Sequence, residues 1–332
     1  MSRGCDRCLA TGVISAGLIV VLAACGGSGD NATTSSASPS PSAPPSSAPP
    51  SSAAPTTSQP LPSPEASTGA PSQSAAVGAP AADLAETSES ALAPYADLVG
   101  QPVEGADIGS VLPLFDGDVP LPQGATIAGA GQVVKDWDGE LYVEQIVGLA
   151  EGATKKDLEE FSASPPAGWT SNSITTTDSS ANLVMTRDDG LRLVYAAAVD
   201  PEPGAPVAEL RLESTTEEMP DPAWLAALPA PEGGTLMEVG AGVGGVEIAY
   251  TPAREGHVTA RWAYPQGDLA SLAAYLAEAL PAAGFDFDAD ALASGSSYID
   301  VSLGDWSGQV VFGEASVDDE TYTELLWVLT RG

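Results

Sequence analysis

Cysteine, histidine and basic residues are scarce in this chain, and each scarcity excludes a class of chemistry. The 332 residues include three cysteines, Cys5, Cys8 and Cys25. Cys5 and Cys8 have the C-x-x-C spacing of some metal and redox sites, but they lie in a segment with the features of a targeting peptide. Without that segment one thiol remains, which excludes an internal disulfide and a thiolate metal site. His257 is the only histidine, whereas zinc sites usually take several nitrogen or sulfur ligands.

The charge of the chain is strongly one-sided. Asp and Glu number 45, Lys and Arg number 11, and the formal net charge is −34. Such a charge repels phosphate backbones and anionic lipid headgroups, so the sequence predicts no nucleic-acid partner and no docking through a polybasic patch. Hydrophobic residues still make up 43% of the chain, which is enough to form a buried core.

The N-terminus has the order of features found in export signals. Arg3 and Arg7 supply a short positive region, and residues 9–22 form an uncharged, largely apolar run. A membrane-spanning helix needs roughly 20 apolar residues, so this run is too short to span a bilayer by itself. We therefore interpret it as the apolar part of a cleaved signal and leave it out of the fold.

The end of this signal carries a specific motif. The sequence Leu22-Ala23-Ala24-Cys25-Gly26 resembles the lipobox of bacterial prolipoproteins. The resemblance covers the first 26 residues. It implies that residues 1–24 are removed, that a diacylglyceryl group joins the Cys25 sulfur, and that lipid anchors the chain on the extracytoplasmic face of the cell membrane. An ordinary secretory signal that happens to end in cysteine is the alternative.

The next segment has the composition of a tether. Residues 25–80 are almost wholly Ser, Pro, Ala, Thr and Gly, which bury too little apolar surface to offset the entropy of ordering. We expect a disordered linker whose ends lie about 40 Å apart as a coil and up to roughly 170 Å when extended. Residues 81–118 form a transition, in which 82–92 could form a helix interrupted near Pro94.

The rest of the chain contains an internal repeat of about 110 residues. Four short motifs recur in the same order: 119–126 with 228–235, 129–131 with 240–242, 165–169 with 281–285, and 188–195 with 306–312. We interpret residues 119–214 and 223–332 as two tandem units. Each unit has enough residues to form its own small core.

Each unit is predicted to be α+β, with one helix packed on its own antiparallel sheet. In the first unit Asp138-Gly139 separates two strand-like runs, 126–134 and 141–147, which is a strong hairpin signal. Thr154 is placed to cap the first helix. Asp268 is placed to cap the second helix, which Pro281 is expected to end.

A glycine motif in the second unit looks like the loop of a dinucleotide-binding or S-adenosylmethionine-binding fold. Gly240, Gly242 and Gly245 match G-x-G-x-x-G after a strand-like run. That chemistry requires a helix to begin at the loop, but residues 246–252 alternate as a strand does. We therefore favour a structural role for these glycines and expect no cofactor.

Candidate catalytic and metal-binding groups are few. No Gly-x-Ser-x-Gly elbow or Ser-x-x-Lys pair stands beside His257, which favours a structural histidine. Asp286, Asp288 and Asp290 imitate the start of a calcium loop. However, alanine replaces the glycine needed at position six, and serine replaces the bidentate glutamate. Hydrolysis of a glycosidic bond by two carboxylates stays an alternative, but the sequence context singles out no particular pair of acids.

Three of the six tryptophans have neighbours in the sequence that indicate where the ring lies. Trp169 matches Phe285 after the helix of each unit and is predicted to lie in the core. Trp137 and Trp306 are predicted to lie in turns, where an exposed ring could contact a glycan or a protein, although packing is favoured for both.

The preferred hypothesis is a lipid-anchored envelope protein that binds an envelope protein or cell-wall component and is not an enzyme. The alternatives are an extracellular hydrolase that uses carboxylates and a calcium-dependent adhesion or sensing module.

Overall fold

The computed structural model describes residues 81–332 except 118, 123, 152–154, 179, 199–206, 249–250, 253–254, 266–267 and 318–319. The predicted signal peptide with Cys25, the predicted tether and the predicted helix cap Thr154 lie outside the described residues. All described residues belong to one compact unit.

Strands dominate the described chain. Those of the N-terminal half are β1 Ile127–Trp137, β2 Glu140–Leu149, β3 Trp169–Thr176, β4 Ser180–Arg187, β5 Arg192–Ala198 and β6 Ala208–Thr216. Those of the C-terminal half are β7 Thr235–Gly244, β8 Glu247–Ile248, β9 Thr251–Pro252, β10 Gly256–Tyr264, β11 Asp286–Phe287, β12 Tyr298–Leu303, β13 Trp306–Val317 and β14 Glu320–Arg331.

Twelve of the described strands form one continuous antiparallel sheet. Its order is β11-β12-β13-β14-β10-β7-β1-β2-β6-β5-β4-β3, while β8 and β9 pair only with each other. The α+β class and the antiparallel pairing predicted from the sequence are therefore confirmed. The separate sheet expected for each unit is wrong, because β1 pairs with β7 from Gly129↔Gly244 to Lys135↔Glu238 and joins the two halves edge to edge.

The helices are few and short. They are α1 Ala81–Ala96, α2 Ile108–Val111, α3 Lys155–Ala163, α4 Leu269–Ala282 and α5 Ala289–Ala293. Short 3-10 turns cover Val103–Gly105, Pro113–Phe115 and Ala223–Ala227. The C-terminal half thus has two helices where one was expected.

The helix ends that were predicted at two prolines differ from those in the structure. The expected interruption near Pro94 is wrong, because α1 continues through Pro94 to Ala96. Pro94 lies in the last turn, so it withdraws a hydrogen bond only from the exposed residue four positions earlier. Similarly, α4 includes Pro281 and ends one residue later. The Asp268 cap is confirmed, since its side chain accepts hydrogen bonds from the amides of Ala270 and Ser271.

All the described helices lie on one face of the sheet, and that face carries two hydrophobic clusters. In the first half, alternate residues of β4, β5 and β6 pack with Leu158 of α3 and with residues 98–125. In the second half, β10, β12, β13 and β14 pack with α4 and with Leu84 and Leu92 of α1. The opposite face is covered only where β8 and β9 cross it, among the described residues.

The turn between β1 and β2 is the predicted hairpin. Asp138 and Gly139 have φ of 56° and 79°, the two consecutive positive values that a type I′ turn requires. The register continues without a break from Trp137↔Glu140 to Gly129↔Gly148.

Candidate functional site

Three glycines lie side by side on β1 and β7, at the centre of the face opposite the helices. Gly131 of β1 lies directly opposite Gly242 of β7, and Gly240 is two residues further along β7. We call these three residues the glycine floor. Because they lack side chains, the backbone is open to close approach from above.

A short segment of the chain occupies that space. Gly244, with a φ of +73°, turns the chain back over the sheet. β8 and β9 follow as a small hairpin in which each strand is two residues long. We call Gly245, Val246, β8 and β9 the strap. Ile248 of the strap is 1% exposed and points onto the floor. A Cβ on Gly131, Gly240 or Gly242 would lie 2.5, 3.0 or 2.3 Å from Ile248.

The strap also encloses apolar residues, and the only histidine lies on β10, the strand next to the floor. Val133, Ile146, Val246 and Ile248 form a small buried cluster of their own. His257, opposite Gly242, is fully buried, and neither ring nitrogen has a hydrogen-bond partner among the described residues. Burial lowers the pKa of His257 to about 4, so the ring is neutral at pH 7.

An ion network holds one side of the strap. Glu144, which is buried, accepts a hydrogen bond from Arg211 Nη1 at 2.8 Å and pairs with Lys135 Nζ at 3.3 Å. Arg211 also pairs with Glu209 at 2.8 Å. Glu209 Oε1 accepts the backbone N–H of Glu247 at 3.0 Å, and Arg211 Nη2 donates to the Glu247 carbonyl at 3.3 Å. The network therefore ties β2 and β6 to the strap.

A second ion network lies on the other side of the β1–β7 pair. Arg261 of β10 donates to Glu238 Oε2 at 2.5 Å and pairs with Glu324 at 3.3 Å. Burial raises the pKa of Glu238, and the positive charges of Arg261 and Lys135 oppose that rise. Glu238 is thus a buried carboxylate held by a salt bridge, which is a common structural arrangement.

The end of the β1–β2 hairpin carries the most exposed aromatic ring of this face. Trp137 is 61% exposed and lies opposite Glu140, and Lys135 lies opposite Tyr142. Tyr142 Oη donates a hydrogen bond to Glu140 Oε2 at 2.9 Å. These four side chains share the uncovered face, because opposite residues of an antiparallel pair point the same way. We call them the hairpin platform.

The expectation that the glycine motif is not followed directly by a helix is confirmed. Gly240 and Gly242 lie within β7, and the chain continues into β8 rather than into a helix. No helix N-terminus is present there to face a phosphate group. The single strand expected over residues 246–252 is wrong, since β8 and β9 form a hairpin instead.

The three acids that imitate a calcium loop are separated by their local roles. Asp286 is an exposed residue of β11, Asp288 caps α5 by accepting the Ala291 amide, and Asp290 lies in the first turn of α5. Within the described part of the chain, no group of three or more His, Cys, Asp or Glu residues could hold a metal ion.

The predictions for Trp169, Trp306 and Trp137 have different outcomes. Trp169 and Phe285 are both buried, which confirms their core positions. Trp306 is 3% exposed, so the exposed turn considered for it is wrong, because the ring begins β13 and packs in the second-half cluster. Trp137 is exposed at the hairpin, although packing had been favoured.

The two grooves described for this part of the chain lie away from Glu238. Two shallow grooves border α1 and α2, where Asp107 and Ser110 line both, and neither groove includes Glu238. The buried carboxylates Glu144 and Glu238 are each paired with an arginine.

Comparison with other proteins identifies no family for this chain. No protein-family model, curated protein or solved structure matches this chain. Among the described residues, no helix is both long enough and apolar enough to cross a membrane.

Sequence reasoning missed the strap and both ion networks. Glu144 and Arg211 are 67 residues apart, and their meeting depends on the pairing of β2 with β6. A signal for the strap was present in the glycines, since strand glycines indicate a place where another part of the chain approaches closely.

Proposed function

We propose that this chain is a lipid-anchored protein of the cell envelope that binds an envelope protein or cell-wall component and catalyses no reaction. The lipobox-like sequence that ends at Cys25 supports the anchor, and the Ser/Pro/Ala-rich residues 25–80 suit a tether that holds the folded unit away from the membrane.

The observation that carries the binding role is the one-sided arrangement of the layers. The described helices pack on one face of the sheet, while the other face presents ordered side chains to solvent. Exposed rings of Trp137 and Tyr298, at 61% and 55%, stand on that open face. Large aromatic side chains supply much of the binding energy at interfaces, so their exposure here favours a binding surface.

The charge on this face supports the same proposal. Lys135, Arg192, Arg211 and Arg261 all project from it, and each is paired with a glutamate. They are four of only 11 basic residues in the chain. These four bases offset part of the negative charge of the glutamates around them, so a partner need not be strongly basic to approach this face.

The anchor is tested by labelling cells with a fatty-acid probe. We expect the wild-type protein to be labelled and to sediment with membranes, and Cys25→Ala to lose both properties because the acylated sulfur is gone. An unlabelled wild type that behaves like Cys25→Ala contradicts the anchor.

The binding surface is tested by photo-crosslinking in intact cells. A photoreactive amino acid at position 298 lies on the uncovered face, whereas one at position 277 lies at an exposed site on α4. We expect a defined adduct from position 298 and none from position 277. Adducts from position 277 alone place the binding surface on the helical side and reject this proposal.

We further propose that residues 119–214 and 223–332 are tandem repeats of one unit. Each half has its strands in the order first, second, sixth, fifth, fourth, third from the β1–β7 pair outward, when β8 and β9 are set aside. Gly131 and Gly242 occupy matched positions in the sequence motifs and lie opposite each other at the centre of that pair. This is the relation expected if a local two-fold axis passes between two copies.

A further inference from the structure

We propose that the hairpin platform binds the pyranose rings of an uncharged envelope polysaccharide. Trp137 supplies the stacking surface, and Glu140 accepts hydrogen bonds from sugar hydroxyls. This inference rests on the proposed binding function and gives the chemistry of one partner.

The ring of Trp137 is exposed, and the backbone that carries it is held in a regular ladder and a closed turn. It is 61% exposed at the end of a regular ladder, directly opposite Glu140. The turn beside it is closed by a hydrogen bond of 2.9 Å from the Gly139 amide to Asp136 Oδ1. A tryptophan side chain has only two rotatable bonds, so it loses little conformational entropy when a ligand binds.

The neighbouring strands leave room for a ligand. β7 pairs with β1 only as far as Lys135, and β6 pairs with β2 only from Leu141 onward. Residues 136–140 therefore have no ladder partner in β6 or β7, although β7 itself continues to Thr235. The 61% exposure of Trp137 leaves the indole open to a flat ring.

The polar groups of the platform suit hydroxyl donors. The Tyr142 hydroxyl donates to one oxygen of Glu140 at 2.9 Å, which orients the carboxylate. An ionised carboxylate accepts several hydrogen bonds, so Glu140 has further capacity for sugar hydroxyls. An aromatic face beside a few oriented polar groups is the usual composition of a small-ligand site.

Charge and size favour a neutral saccharide over other partners. Asp136, Asp138 and Glu140 surround the tip, and the Lys135 ammonium is paired with Glu144, so an anionic polymer would be repelled. A stable protein interface covers about 800 Å² on each partner, which is more than a five-residue tip presents. One or two sugar rings match the tip better.

The test is calorimetric titration of the full-length lipoprotein in mild detergent. The probes are a β-1,4-linked tetramer of N-acetylglucosamine, an α-1,4-linked tetramer of glucose, and polyphosphate as the anionic probe. We expect at least one sugar to bind and polyphosphate not to bind. Trp137→Ala should weaken sugar binding at least about tenfold, and Trp137→Phe should weaken it less because a ring remains.

Two variants serve as controls. Ile174→Ala removes an exposed apolar side chain from the edge strand β3, away from the hairpin platform, and should leave sugar binding unchanged. Glu140→Ala should weaken binding while the unfolding temperature stays the same, since Glu140 is exposed. No binding of either sugar, equal binding of polyphosphate, or undiminished binding by Trp137→Ala overturns the proposal. A partner still captured from position 298 then shows that the general binding function survives.

Discussion

At the scale of single residues, the glycine floor is a part of this protein that tolerates little added volume. The nearest atom to a Cβ on Gly242 is Ile248 Cδ1 at 2.3 Å, followed by backbone atoms of β1 at 3.0 Å. The side chain of Ile248 can move a little, but the sheet backbone cannot, because two ladders hold it. Two kinds of contact thus make glycine necessary here.

Gly242→Ala is expected to lower the free energy of unfolding by about 1–3 kcal/mol, the usual cost of overpacking. Chemical denaturation measures this change. Gly313→Ala is the matched control, because Gly313 is also a strand glycine but its Cβ would meet no atom within 4 Å. That control should be neutral or stabilising by about 0.5 kcal/mol.

A double-mutant cycle identifies the source of the strain. Ile248→Ala alone is expected to cost about 2–5 kcal/mol through the cavity it leaves. Combined with Gly242→Ala, the total should be less than the sum of the two, since the new methyl group fills part of that cavity. Strict additivity would mean that Ile248 does not press on the floor.

His257 gives a prediction about pH. Its pKa in the folded protein is about 4, below the ordinary value of 6.5, because the ring is buried. The unfolded chain therefore binds a proton between pH 6.5 and 4 that the folded chain does not, so the stabilisation is complete above pH 6.5 and is lost as pH falls through this range. The loss is about 3 kcal/mol at most.

The measurement compares the wild type with His257→Leu by denaturant unfolding at pH 7, 5.5 and 4. The difference in stability between the two proteins should shift in favour of the variant as pH falls. Because both proteins carry the same remaining side chains, the pH effects that they share cancel in the comparison. Parallel pH profiles would show that His257 finds a proton-accepting partner.

At the scale of elements, the strap is held by few interactions and should open before the sheet does. Its described backbone is tied to the sheet through Glu209, Arg211 and the Gly245 amide, which donates to the Ala128 carbonyl at 3.3 Å. Its hairpin is only two residues long on each side. Segments with few hydrogen bonds and few contacts open at lower free energy than the core strands that surround them.

Arg211→Met is expected to speed hydrogen exchange of the amides at 245–248, while the amides of β10 keep their protection. The arginine orients Glu209 and donates to the Glu247 carbonyl, so its loss frees both ties. Arg192→Met removes a cation that is paired with Glu213 on the same face and does not contact the strap. Equal exchange in the two variants would argue against this role of Arg211.

At the scale of the whole molecule, the continuous sheet couples two hydrophobic clusters. The β1–β7 pairing runs over seven residue pairs, from Gly129↔Gly244 to Lys135↔Glu238. In addition, α1 contributes Leu84 and Leu92 to the second-half cluster, whereas Leu98, just after α1, belongs to the first-half cluster. One half cannot unfold without exposing the edge of the other.

We therefore expect a single cooperative thermal transition, with a calorimetric enthalpy equal to the van't Hoff enthalpy. Gly242→Ala should lower the midpoint without splitting the transition. Two resolved transitions, each with its own enthalpy, would show that the halves are independent despite their shared sheet. Differential scanning calorimetry distinguishes these results.

The sequence by itself determined the local elements and the class of the fold. Asp138-Gly139 predicted the hairpin, Asp268 predicted the start of α4, and alternating residues predicted the strands, because turn geometry, capping and side-chain periodicity act over a few residues. It also indicated through Gly240 and Gly242 that another segment comes close.

Only the tertiary structure decided how these elements meet. The β1–β7 junction and the Glu144–Arg211 pair join residues 67 or more positions apart. Ile248 is near Gly240 and Gly242 in the sequence, but its position over Gly131 depends on the same junction. The exposure of Trp137 was decided in the same way, by where β6 and β7 begin to pair. A strand can form backbone hydrogen bonds with any other strand. The choice of partner therefore depends on how the side chains of the entire sheet pack.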